Sequence, residues 1–193
     1  MATSLRDTRA LIAIPGVKAL LLAQWLPSGL IVGVEALFVS YAGSSAGALL
    51  MAGAAGMLAG DIVVGRLLTP RTRALAMVPL MVLLAVPYLM FALTPAVTLA
   101  SVLACLASFG YGHHLALQER YLAVVPEEAR GHAFGLANGG MMTAQGLAAA
   151  GLGAIAEMVS PGGAIVVGGA ASLMAGLALA PYLRRQGTRI GAV

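Results

Sequence analysis

Hydrophobic residues make up 60% of this 193-residue chain and charged residues only 9%, where a soluble domain is about a quarter charged. So few charges cannot solvate the surface of a water-soluble fold. A net charge of +4, scattered along the chain, excludes a nucleic-acid footprint.

The apolar residues fall into blocks long enough to cross a bilayer, which needs about 20 residues of helix. Arg6 and Arg9 imitate the basic start of a signal peptide, but the apolar run beyond them passes Trp25 without an A-x-A site, so no cleavage is expected. The blocks predict six transmembrane helices over Val17–Tyr41, Ser44–Leu68, Ala74–Thr94, Pro95–Leu122, Gly131–Val159 and Pro161–Tyr182. Residues 1–16 and 186–193 are expected to be cytoplasmic, and residues 17–185 to form one all-α integral membrane domain. Helices are required because lipid cannot satisfy open backbone groups, and no alternating pattern suggests a barrel.

Orientation follows from the basic residues. Arg6, Arg9 and Lys18 flank the start of the first helix; Arg66, Arg71 and Arg73 lie between the second and third; Arg120 and Arg130 between the fourth and fifth; Arg184, Arg185 and Arg189 after the sixth. In a six-span arrangement all eleven fall on one side, which the positive-inside rule makes cytoplasmic. Tyr41, Tyr121 and Tyr182 mark span ends. The Arg-rich, Ala- and Gly-rich composition suggests a bacterial inner membrane.

Polar side chains are distributed unevenly. The first helix holds Gln24, Ser28 and Glu35, and the fourth holds Ser101, Ser108, His113, His114 and Gln118. The third has no strongly polar group before Thr94, and the sixth has only Ser172. The first helix of each triplet is polar and the third is nearly pure hydrocarbon. That order predicts a 3+3 inverted repeat whose polar helices line a cavity. Gln24, Ser28 and Glu35 share one helix face, with Pro27 bending the backbone between them. Tyr111, His114 and Gln118 share a face on the fourth helix, and His113 points about 100° away from His114.

Glu35 lies about 9 Å from the centre of its helix at 1.5 Å per residue. An ionised carboxylate there costs about 3 kcal/mol unless it meets water or a partner, so Glu35 is either a functional group or an interfacial residue reaching the outer headgroups. His114 and Gln118 either line the cavity or bond between helices, and Asn138 and Gln145 read as packing contacts. Glycine steps at Gly56 and Gly60, and at Gly131, Gly135 and Gly139, predict close helix packing.

The stretch Gly56-Met-Leu-Ala-Gly-Asp-Ile-Val-Val-Gly-Arg66, followed by Pro70-Arg-Thr-Arg73, resembles the signature loop of the major facilitator superfamily. The order of Gln24-Trp-Leu-Pro-Ser-Gly29, Glu35-Ala-Leu-Phe38 and Arg130-Gly-His-Ala-Phe-Gly135 is similar to the C-terminal half of a twelve-helix member. The chain departs from that pattern where Ile62 follows Asp61 and where Gly65-Arg66 sits one position late. The resemblance implies a cavity lined by Gln24, Ser28, Glu35, Tyr111, His114 and Gln118. It also implies a conformational loop of Gly60, Asp61, Gly65, Arg66, Arg71 and Arg73, with Asp61 anchoring a helix end. Asp61 beside Arg66 reads equally as an interfacial ion pair.

The expected function is thus half of a secondary transporter that moves a small solute by alternating access, with Glu35 as a protonatable site. The alternative is a non-transporting subunit or a truncated remnant of a twelve-helix transporter. The expected partners are the bilayer, the solute and a second six-helix half, either another copy or a separate chain. Neither a GxSG nucleophile nor an HExxH pair occurs, and Cys105 is alone, so no enzyme activity, metal or cofactor is expected.

Overall fold

The computed structural model describes the backbone of residues 2–190 and the side chains of residues 8–183. The described residues are helical, without strands: α1 (Ala2–Ala13), α2 (Val17–Ala36), α3 (Phe38–Ala42), α4 (Ala46–Ile62), α5 (Pro70–Leu89), α6 (Val97–Phe109), α7 (His113–Val124), α8 (Arg130–Met158) and α9 (Pro161–Ile190). Four stretches are long and apolar enough to cross a membrane: Val17–Leu67, Pro70–Leu93, Val97–Val124 and Pro161–Leu183. The first has 51 residues, about 75 Å of continuous helix at 1.5 Å per residue, more than twice the bilayer core. It does not run straight. At Gly43 the backbone takes φ 53° and ψ −124°, a conformation that only glycine enters freely, and the chain turns there between α3 and α4. The 29-residue α8 lies outside that apolar set, because Asn138, Thr143, Gln145, Glu157 and several glycines dilute its aliphatic content.

Neighbouring contacts give the helix directions. Gly29 and Gly33 of α2 lie against Ala144 and Ala148 of α8, so these two run parallel. Ser172 Oγ donates to the Pro27 carbonyl at 3.0 Å and Gly168 packs on Val34, so α9 runs against α2. Gly169 and Gly176 of α9 meet Tyr88 and Met81 of α5, again antiparallel. Gly60 meets the Phe109 carbonyl and Gly112 packs on Val64, which sets α4 parallel to α6–α7. Ser108 lies by Glu35 and His113 by Ser28, so α6–α7 runs against α2, and the segments alternate up and down.

One end gathers Leu11, Val17, Met77, Tyr121, Ala133 and Leu183 into an apolar cluster, and the other gathers Phe38, Leu84, Tyr88, Phe91, Ala164 and Ile165. Outward faces are apolar as well: Met51, Leu75 and Leu147 are 76%, 78% and 71% exposed. An exterior of this kind suits lipid rather than water.

The glycine steps behave differently from one another. A Cβ on Gly56 or Gly60 would run into the carbonyls of Cys105 and Phe109, so α4 and α6 touch backbone to backbone. Close packing was expected at Gly131, Gly135 and Gly139 as well, but a Cβ at any of them meets nothing within 4 Å. The three lie on the exposed face of α8. The close approach to α8 is made instead by glycines of α2 on alanines of α8. A small residue permits contact only where a partner faces it.

Candidate functional site

Two helices break at the same point in their sequence pattern. Helix α2 ends one residue after Glu35, with Leu37 outside the helix before α3 resumes. Helix α6 ends one residue after Ser108, where a 3₁₀ turn over Gly110–Gly112 leads into α7. The 3₁₀ turn is held by contact: a Cβ on Gly110 would strike Leu80 and Leu84 of α5. Breaks of this kind leave last-turn carbonyls without their usual partners and present the negative ends of helices.

Glu35 and Ser108 meet at this level. Ser108 Oγ donates to Glu35 Oε1 at 3.3 Å. The hydroxyls of Tyr88, from α5, and Tyr111, from the 3₁₀ turn, face the same carboxylate, and Tyr88 also faces Ser108. Neither tyrosine hydroxyl reaches hydrogen-bond geometry with a described residue. Tyr88 and Ser108 are fully buried and Tyr111 is 6% exposed, so these oxygens cannot turn to solvent. One carboxylate thus faces three hydroxyls from three segments. The rings around them are packed: Phe38 lies 6.2 Å and Phe91 5.9 Å from Tyr88, centroid to centroid.

A second buried pair lies further along the same helices. His113 Nδ1 is 2.8 Å from the Gly110 carbonyl, which can only accept, so Nδ1 carries the proton. Nε2 then accepts from Ser28 Oγ at 3.4 Å. His114 instead donates from Nδ1 to the Tyr111 carbonyl at 2.8 Å, with Asp61 Oδ1 at 3.8 Å. Asp61 Oδ1 is buried without a hydrogen-bond partner.

The expected cavity residues are therefore distributed over several places. Glu35 and Tyr111 come together. Ser28 meets His113, and His114 meets Asp61. Gln24 and Gln118 are half-buried and join neither cluster. Tyr88 was not among the expected cavity residues, although it is the one hydroxyl in the apolar stretch from Ala74 to Leu93. The pairing of Ser108 with Glu35 was not expected either: Ser108 shares a helix face with Tyr111 three residues on, but which residue of α2 lies opposite depends on how the two helices pack.

The loop after α4 forms its own structure. Val63–Leu67 is a π-helical turn, with the Leu68 amide bonded to the Val63 carbonyl at 3.2 Å. Arg73 caps the carbonyls released there: Nε donates to Val64 at 3.0 Å, and Nη2 to Gly65 at 3.0 Å and Leu68 at 3.3 Å. Its other nitrogen pairs with Glu119 on α7. Arg66 and Arg71 are exposed.

No protein-family model, curated protein or solved structure matches the chain.

Proposed function

We propose that the chain is a six-helix half of a secondary transporter of the major facilitator type, which works paired with a second half. The observation that carries this reading is the half-buried Glu35 carboxylate, which faces Ser108, Tyr88 and Tyr111 inside a helical bundle with an apolar exterior. An ionisable group in that position is costly, and its usual use is a substrate or ion pathway. In the proposed cycle Glu35 takes up a proton when the bundle is open to one side and releases it to the other, coupling the proton to a small solute.

Helix pairing supports an inverted repeat. With α2 equivalent to α6–α7, α4 to α8 and α5 to α9, the α2–α8 pair corresponds to α4–α6, and α2–α9 to α5–α6. The α5–α9 pair maps onto itself. The helix breaks correspond too, one residue after Glu35 and one after Ser108, with Ser28 and Ser101 each seven residues earlier. On this reading all six segments cross the membrane, and both chain ends are cytoplasmic in a bacterial inner membrane, on the side of Arg66, Arg71, Arg73, Arg120 and Arg130.

Native mass spectrometry of the chain in lipid nanodiscs tests the proposal. A stable dimer is expected, supplying twelve helices. A monomer at all concentrations would overturn transport by this chain alone and leave a subunit or remnant.

A further inference from the structure

Three features of the Glu35 cluster go beyond proton coupling. The first is unused bonding capacity. Tyr88 and Tyr111 turn buried hydroxyls toward the same carboxylate without full hydrogen-bond geometry, and buried polar groups normally have a well-formed partner. The second is spacing. Ser108 Oγ and Glu35 Oε1 are 3.3 Å apart, longer than the 2.5–3.0 Å usual for a hydroxyl bonded to oxygen. A cation bound by oxygens at about 2.4 Å holds neighbouring oxygens of its shell about 3.4 Å apart. The third is the local field. Glu35 and Ser108 each occupy the last turn before a helix break; the negative end of α2 adds to the carboxylate, while the carbonyls of the turn after Ser108 are taken by His113 and His114. Discontinuous membrane helices use such ends to hold sodium or protons.

We propose that Glu35, Ser108, Tyr88 and Tyr111 form a binding site for one sodium ion, which competes there with the proton. The inference rests on the same carboxylate as the transporter reading. The charge fits a monovalent ion, because a single carboxylate faces three neutral oxygens. An organic cation does not fit, since Phe38, Tyr88 and Phe91 are packed ring to ring and fully buried. The groups acting on Glu35 are Ser108 from α6, Tyr88 from α5 and Tyr111 from the 3₁₀ turn; Asp61 on α4 and His132 and Glu157 on α8 are not among them.

The test is ion-dependent thermal stability of the full chain in nanodiscs, read from Trp25 emission in NaCl, KCl or choline chloride of equal ionic strength. Sodium is expected to raise the unfolding midpoint by several degrees over potassium or choline, because an ion bound only by the folded state stabilises it. Its apparent affinity should fall about tenfold per pH unit once the proton competes. Glu35→Gln should abolish the sodium effect, and Tyr88→Phe and Tyr111→Phe should each weaken it about tenfold. If Glu35→Gln fails to fold, the two tyrosine variants carry the test. Equal midpoints in all three salts, with stabilisation by acid alone that Glu35→Gln removes, would overturn the sodium site and leave the proton reading intact. No response to salt or acid, in the wild type or the variants, would overturn both.

Discussion

A methyl group added at Gly56 would meet the Cys105 carbonyl, whereas one added at Gly139 would meet open space. The two glycines stand in similar GxxxG steps and differ only in what faces them. Gly56→Ala is expected to destabilise the bundle by about 1–3 kcal/mol through forced separation of α4 and α6. Gly139→Ala should be neutral or slightly stabilising, since alanine favours a helix over glycine by about 1 kcal/mol. Thermal unfolding of the two variants side by side measures the contrast, and equal losses would refute it. The same lesson applies to the polar residues. That Glu35 is unusual is evident from the sequence, because a carboxylate seldom stands in an apolar run. Its neighbours are not evident: Tyr88 lies 53 positions away in a segment with no polar pattern, and proximity there depends on how α5 packs.

At the scale of elements, the breaks matter more than the helices. The π-helical turn at Val63–Leu67 leaves carbonyls unpaired, and a guanidinium is well suited to gather several of them. Arg73→Ala is expected to loosen this turn, and amide hydrogen exchange over residues 63–69 should rise at least tenfold. Glu119→Gln should have a smaller effect there, because the three carbonyl bonds of Arg73 survive. Equal exchange in wild type and Arg73→Ala would show that the turn does not need the cap. The resemblance places Arg73 in a conformational loop but implies no partner for it, since the i→i+5 geometry that exposes the carbonyls has no compositional mark. The 3₁₀ turn at Gly110–Gly112 is similar: the two glycines are visible, but the contact with Leu80 and Leu84 that requires the first is tertiary.

Across the whole molecule, two sets of contacts define opposite ends. Arg73 meets Glu119, Arg120 Nη1 donates to the Leu183 carbonyl at 2.6 Å, and Tyr121 Oη donates to Ala133 at 3.1 Å. At the other end Tyr41 Oη donates to the Pro95 carbonyl at 2.7 Å and lies against Gly162. The basic residues of the described side chains sit at the first end, so the positive-inside rule predicts that it is cytoplasmic. In a Cys105→Ser background, Ser44→Cys should react with a membrane-impermeant thiol reagent on intact cells, and Thr69→Cys only after permeabilisation. The reverse pattern would invert the topology.

Composition and charge placement determined by themselves that this chain belongs in a membrane as helices. They could do so because the cost of exposing backbone or charge to lipid depends on residue type and run length, which are written in the sequence. The prominence of Glu35 was fixed in the same way. Tertiary structure alone decided which hydroxyls surround that carboxylate, which histidine meets Ser28, and which glycines are contacts rather than open surface. Each of these depends on the distance between segments far apart in the chain, and a break of one or two residues in a helix is enough to change it.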